Sequence, residues 1–232
     1  LGRWPYDDRV AHLVLLDHHM VPTTTDIEEW VAGAVATGST VVRTGALFPH
    51  SVPPFLESGF RVADTLTLLE RAGADRLPVN RSATSGSIPH AAGAVRLRRL
   101  RPSMLHEAAG IDRRSFSGPW ANDASALADI MTATPYHRSR SVHVDGRMVA
   151  FSISGRADRS GYVQRLAVDP SARRRRFAQL LLDDALGWMQ RRGVSQMMVN
   201  TAADNRPALA LYESIGFERQ PGALLILERV LR

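Results

Sequence analysis

Residues 162–217 constrain the fold of this chain more than any other stretch. A strand-like run at 162–168 meets Asp169 and Pro170, and Arg173, Arg174, Arg175 and Arg176 follow in a row. Over 177–192, Leu180, Leu181, Ala185, Leu186 and Met189 are apolar at helical spacing, arginines fill the last turn, and Gly193 ends the helix. A strand at 196–199, then Asn205 and a helix at 206–214, lead into Ile215, Gly216 and Phe217. A strand that delivers four cations to a helix N-terminus is a place to hold a pyrophosphate. The first amides of a helix lack partners and its dipole favours an anion there. Arginine forks add charge-assisted bonds. Tyr212, on the later helix, is a candidate proton donor.

The region before this run also alternates strand and helix. A strand is predicted at 95–99 and a first helix from Pro102, with Met104, Leu105, Ala108 and Ile111 on one face. Asp123 caps a second helix carrying Leu127, Ile130 and Met131. Strands at 141–144 and 148–154 flank Asp145-Gly146, a strong hairpin pair. A last strand is expected at 223–230.

Residues 73–93 are rich in Gly, Ala, Ser and Pro and read as a linker. They divide the chain into an N-terminal segment, 1–72, and a domain, 94–232. In the segment, a helix is predicted at 25–37 with a capping box of Thr25 and Glu28. A strand at 40–43, a short helical stretch ending at Phe60 and a strand at 65–71 follow. Glu57-Ser58-Gly59-Phe60 then Leu68-Leu69-Glu70-Arg71 echoes Glu213-Ser214-Ile215-Gly216-Phe217 then Ile226-Leu227-Glu228-Arg229. This reads as an internal repeat.

Composition removes several function classes. The chain has 232 residues, 44% hydrophobic, enough for one large domain or two small ones with a real core. It has no cysteine, which excludes disulfides, thiolate metal sites and a cysteine nucleophile. His18, His19 and His137 lack metal-ligand spacing, so no metal is expected. The longest apolar runs, such as 222–227, are far too short to span a bilayer, and no secretory pattern opens the chain. A soluble cytoplasmic protein is expected. All 29 basic residues are arginine, and the net charge is +6. Outside 96–101 and 173–176 the arginines are scattered, without the aromatic interleaving that stacks bases, so nucleic acid is a disfavoured partner.

In order and spacing, Leu166 to Pro170, Arg173 to Ala178, Asn205 and Leu211 to Phe217 resemble the GNAT family of N-acetyltransferases, over about 94–232. Phe116-Ser117-Gly118-Pro119-Trp120 is similar to the early helical region of members that acetylate protein N-termini. The resemblance implies an α/β (α+β) fold: a GNAT-type mixed, mostly antiparallel sheet flanked by helices, whose fourth and fifth strands splay apart around the acyl chain. It implies that main-chain groups of Leu166, Ala167 and Val168 hold the pantetheine arm of acetyl-CoA. The pyrophosphate would lie on the turn formed by Arg173, Arg174, Arg175, Arg176, Phe177 and Ala178. Asn205 would orient this region or bond the coenzyme arm, unless it is simply a helix cap. Tyr212 would be the general acid for the leaving thiolate.

Two departures from the family pattern matter. Arg176 stands where the family has its first loop glycine, and is expected to take an ordinary torsion with its side chain outward. Gln164 and Asn200 stand where many relatives carry a glutamate base, which leaves Tyr162, His143 or a water chain for that role. The N-terminal segment resembles the second half of the same fold with its active features gone, Phe55 standing where Tyr212 stands. It would pack beside the catalytic domain or complete a sheet across a homodimer. The expected activity is acetyl transfer from acetyl-CoA to a primary amine by direct attack. The acceptor is a small metabolite or antibiotic amine, or a protein N-terminus. The alternative is a coenzyme-binding module without catalysis.

Overall fold

The computed structural model describes residues 1–15, 17, 19–73, 87–90, 93–116 and 118–231. His18, Ser117 and most of the 73–93 linker lie outside the described residues. In chain order the elements are β1 (Gly2–Trp4), β2 (Asp7–Leu13), α1 (Thr24–Ala36), β3 (Val41–Thr44), α2 (Val52–Glu57), β4 (Arg61–Ala72), β5 (Ser87–His90) and β6 (Gly93–Arg99). Then follow α3 (Leu105–Ser115), α4 (Ala124–Thr132), β7 (Tyr136–Val144), β8 (Arg147–Ala157), β9 (Ser160–Val168), α5 (Phe177–Arg191), β10 (Gln196–Ala202), α6 (Arg206–Ser214) and β11 (Glu218–Val230). Among the described residues, no helix is long and apolar enough to cross a membrane.

The chain folds into two compact units, Glu70–Val199 and the pair Leu1–Leu69 with Asn200–Arg232. These bounds differ from the sequence division at 73–93. The 87–90 stretch of that linker is a strand, paired with β6 from Ser87↔Arg96 to His90↔Gly93.

In the Glu70–Val199 unit the strands run in the order β10-β9-β8-β7-β6-β5. All the neighbours are antiparallel except β9 and β10. The sheet is therefore mixed and mostly antiparallel, as expected. The β7–β8 turn places Asp145 at φ 49° and Gly146 at φ 86°. That pair of left-handed residues matches the strand twist of a two-residue hairpin. Each sheet face has its own core. Phe151, Ile153 and Ala167 pack with Leu105, Ile111 and Leu127 of α3 and α4. Val142 and Ala150 pack on the other face with Phe177 and Leu181 of α5. Phe151 and Leu181 are wholly buried, each stabilising by about 1.5–3 kcal/mol.

In the other unit β2 and β3 are parallel, linked by α1, and β11 adds to β3 antiparallel from Glu228↔Arg43 to Val230↔Val41. Arg43 pairs with Glu228 at 2.7 Å, and the Leu227 amide donates to Thr44 Oγ1 at 2.9 Å. Leu227 is part of one core with Val42, Ile27 and Phe55. The N-terminal segment therefore finds the strand it lacked at the far end of the chain. The helix cap moves as well. The box is Thr23 with Asp26, not Thr25 with Glu28. Thr23 and Thr25 each have an acid three residues on, and Glu28 is taken by Arg229.

Candidate active site

β9 carries the central feature. Its ladder with β10 covers only Ser160↔Gln196, Gly161↔Met197 and Tyr162↔Met198. Its ladder with β8 continues to Val168↔Ala150. Beyond Tyr162, therefore, β9 has no β10 ladder partner at Leu166, Ala167 and Val168, the residues assigned to the pantetheine arm, and the Val168 carbonyl accepts from Ser115 Oγ. A bulge between Ile153 and Ser154 leaves Gln164 without an opposite residue. Its Oε1 is buried with no hydrogen-bond partner, lying where a Cβ on Gly155 would be 2.7 Å away.

The turn after β9 is tightly built. Asp169 accepts from the Ser171 amide at 3.0 Å and its hydroxyl at 2.6 Å. Arg114 pairs with it at 2.7 Å. Burial pushes the Asp169 carboxyl up, but the Ser171 hydroxyl and Arg114 outweigh it and bring its pKa down to about 2. Arg173 Nη2 donates to the Ser115 carbonyl at 3.2 Å, and Ser115 Oγ donates to the Val168 carbonyl at 3.0 Å. The end of α3 is thus fastened to the end of β9 and to the turn.

Arg176 overturns the torsion expected for it. It is the N-cap of α5, at φ 60°, ψ 17°, and Arg174 is also left-handed at φ 61°. The turn keeps the glycine-type backbone without the glycine, at a cost of about 1–2 kcal/mol per residue. All four arginines from 173 to 176 are exposed. No side chain caps α5 and no acid lies in its first turn. The Leu180 amide is the first to bond back, to the Arg176 carbonyl, so helix geometry leaves those of Ala178 and Gln179 without an intrahelical partner. The N-terminus of α1 is the opposite case. Its own capping box fills it, with the Asp26 carboxylate held below its usual range by the Thr23 hydroxyl and amide. A negative charge already occupies the place an anion would take.

Asn205 and Tyr212 belong to the other compact unit. Asn205 caps α6, accepting from the Ala208 amide at 3.4 Å, and donates to Thr201 Oγ1 at 3.0 Å. Tyr212 is 5% exposed and meets Phe217 edge to face.

Of the candidate bases, His143 is set aside by its place. It is buried on β7, its Nε2 3.1 Å from Ser141 Oγ and its Nδ1 3.4 Å from the Gly146 carbonyl. β8 stands between it and β9. Tyr162 is half-buried on β9, where the β10 ladder ends. Among the described residues, no group of three His, Asp or Glu side chains is placed to hold a metal ion.

The sequence reading missed Arg165 and Asp112, which form a buried ion pair at 2.6 Å beside this strand. The cue was present. Each is a charge on a face that otherwise reads as core, and such charges are almost always paired.

Comparison with known proteins agrees with the fold. Residues 105–217 match the family model described as the acetyltransferase (GNAT) family. The chain is 28% identical over 118 residues to the [ribosomal protein bS18]-alanine N-acetyltransferase of Escherichia coli strain K12, covering 51% of this chain and 77% of that protein. Among solved structures it resembles a tandem GNAT protein from the clavulanic acid biosynthesis pathway, with a TM-score of 0.62, 12% identity, and coverage of 86% of this chain and 66% of that one. It also resembles the PaiA N-acetyltransferase of Thermoplasma acidophilum, solved in complex with coenzyme A, with a TM-score of 0.50, 16% identity, and coverage of 59% and 99%. The chain therefore carries, at residues 105–217, a domain that matches the acetyltransferase (GNAT) family.

Proposed function

We propose that this chain transfers acetyl from acetyl-CoA to a primary amine by direct attack in a ternary complex. The observation that carries the reading is the uncapped, left-handed entry to α5, placed directly after a strand whose β10 ladder ends at Tyr162. Amides of 173–178 receive the pyrophosphate, and the exposed arginines add charge. Main-chain groups of Leu166, Ala167 and Val168 align the pantetheine and the thioester carbonyl. The amine nitrogen attacks that carbonyl, the C–N bond forms, and the oxyanion collapses with loss of the C–S bond. The departing thiolate takes the phenol proton of Tyr212, a role the family motif gives to this position. Asn205 supports it by capping the helix that carries it. The ammonium loses its proton to water held near Tyr162 and Gln164 Oε1, whose buried lone pairs lack a partner.

The acceptor is a primary amine on a small molecule or a protein N-terminus. The bS18-alanine acetyltransferase relative supports the second class. We read the N-terminal segment as a degenerate repeat without a site of its own. Its parallel pair is laddered from Val10↔Val41 to Leu13↔Thr44, the Gly45 amide bonds on to the Leu13 carbonyl, and α1 is self-capped. The enzyme is expected to be cytoplasmic, to need no metal, and to be a monomer or a homodimer.

A second reading is a coenzyme-binding module without catalysis, favoured by glutamine rather than a carboxylate at position 164. One experiment separates the two. Coenzyme A is titrated by calorimetry, and free thiol from acetyl-CoA is followed across an amine panel that includes Ala-Gly-Gly amide. Binding with amine-dependent thiol release is expected. Binding without release supports the module, and a flat titration at millimolar coenzyme A removes both readings.

A further inference from the structure

On the face of β9 turned toward α3, Arg165 is held on every side. Its Nε and Nη2 form a fork to Asp112, at 2.7 and 2.6 Å. The same Nη2 donates to the Trp120 carbonyl at 2.8 Å. The guanidinium carbon lies 3.5 Å from the centre of the Phe116 ring. Asn122 is tied in twice. Its amide donates to Asp112 Oδ1 at 2.6 Å, and its side-chain oxygen, turned to the guanidinium, accepts from Nη2 and Nε at 3.1 Å.

The Asp112 side chain is fully buried and that of Arg165 is 16% exposed. As a source of stability such a pair is a poor choice. Both ions lose their hydration, and an apolar pair of like volume holds a fold as well or better. A planar fork does what apolar packing does not, which is to fix directions. Here one strand residue fixes Phe116, Trp120 and Asn122, three points on the connection from α3 to α4.

That connection follows the part of β9 beyond its β10 ladder. At one end Ser115 Oγ bonds the Val168 carbonyl, and at the other Arg165 holds residues 116, 120 and 122. Ser115 therefore lies against Val168, and Phe116, Trp120 and Asn122 lie against Arg165, beside the stretch assigned above to the thioester arm. A nucleophile approaching that stretch from the α3 face meets this segment first.

We propose that Arg165 is a positioning residue for the amine acceptor. It acts through Phe116, Trp120 and Asn122, setting the wall against which the amine lies, and does not act on coenzyme binding. The inference rests on the acetyl-transfer reading. Two variants test it. Arg165→Lys keeps a charge opposite Asp112 but loses the fork and the flat face under Phe116. Arg165→Met with Asp112→Leu replaces the pair by apolar groups and strands no charge. Three quantities are measured: hydrogen exchange of the Asn122 amide, calorimetric Kd for coenzyme A, and kcat/KM for Ala-Gly-Gly amide, or for the best amine of the panel, at saturating acetyl-CoA.

In Arg165→Lys, which keeps the Asp112 acceptor of the Asn122 amide, exchange at Asn122 accelerates by about tenfold or more. In both variants the coenzyme Kd stays within about twofold, and kcat/KM for the amine falls by about 30- to 100-fold, as for a misplaced substrate wall. Wild-type kcat/KM in a cooperatively folded double variant overturns the proposal, because the pair is then only structural. A matching loss of coenzyme affinity overturns it too. If the double variant does not fold, Arg165→Lys decides by the same criteria. If the wild type releases no thiol with any amine, the activity itself has failed and the proposal falls with it. Exchange at Asn122 in Arg165→Lys then shows separately whether Arg165 holds the segment.

Discussion

Tyr212 meets Phe217 edge to face, with ring centroids 5.9 Å apart, across the turn that ends α6. Phe55 meets Phe60 in the same way at 5.2 Å after α2. Both turns pass through a left-handed glycine, Gly216 and Gly59. The aromatic packing is thus repeated in the two segments, and only one of them carries a hydroxyl.

Tyr212→Phe follows from that comparison. Phe55 shows that phenylalanine satisfies the packing, so the variant folds with little loss of stability. Thiol release should nevertheless fall about 100-fold or more, in kcat rather than in coenzyme affinity, as for loss of a general acid. Stopped-flow thiol detection with a parallel calorimetric titration checks both halves. An unchanged kcat removes Tyr212 from the mechanism.

Arg176 makes a prediction of opposite sign for stability. Its backbone already has the conformation that glycine takes freely, at φ 60°. Arg176→Gly relieves that torsion, partly offset by greater freedom in the unfolded chain, for a net gain of about 0.5–1 kcal/mol. The turn amides stay in place, so coenzyme Kd changes by less than about fivefold, and high salt removes the difference. Arg176→Val places a β-branched residue at positive φ, where it is a genuine outlier. It should weaken coenzyme A by more than about tenfold. Urea melts and calorimetry at two salt concentrations report each effect.

The contrast between Arg176 and Tyr212 shows where sequence was sufficient. Helix and strand periods placed α5, α6 and β9 within a few residues, because each has one buried face with a regular repeat. The torsion of Arg176 differs from expectation because an arginine in place of the family's loop glycine suggested an ordinary torsion, whereas the turn imposes a left-handed one. β1 and β2 were not seen at all. Asp7, Asp8 and Arg9 interrupt their alternation, and their pairing partners are set by long-range contacts. The β11–β3 ladder was equally hidden, since nothing local in 218–230 names a partner near residue 42. The Arg165–Asp112 pair joins residues far apart in the chain, and no spacing rule connects them.

Asp169 gives a pH dependence with a defined sign. Its folded pKa is about 2, below the ordinary 3.8. A depressed carboxyl contributes stability that is complete above about pH 4 and is lost as pH falls toward 2. With a side chain only 10% exposed, the contribution is about 2 kcal/mol. Asp169→Asn should therefore lose up to that amount at pH 7 and show a shallower acid slope between pH 4 and 2. Urea midpoints at pH 7 and pH 3 measure it. A wild-type midpoint at pH 7 would show that Ser171 and Arg114 do not stabilise the charged form.

The fragment 94–232 tests how the chain completes its cores. The family resemblance alone suggests that it should stand by itself. The structure argues otherwise, because β11 loses its antiparallel partner β3 and the Arg43–Glu228 and Arg229–Glu28 pairs. Leu227, wholly buried, loses Ile27, Val42 and Phe55 from its cluster. Exposing one such leucine forfeits about 1.5–3 kcal/mol, and β11 is left with unpaired backbone on an apolar strand, a template for aggregation. The fragment should be insoluble or lack a cooperative melt. Supplying residues 1–72 as a separate chain should restore solubility, since the missing strand pair and helix come from that segment. Co-expression with light scattering and a thermal melt reads this directly. A soluble 94–232 fragment that melts cooperatively would show that β11 does not depend on β3.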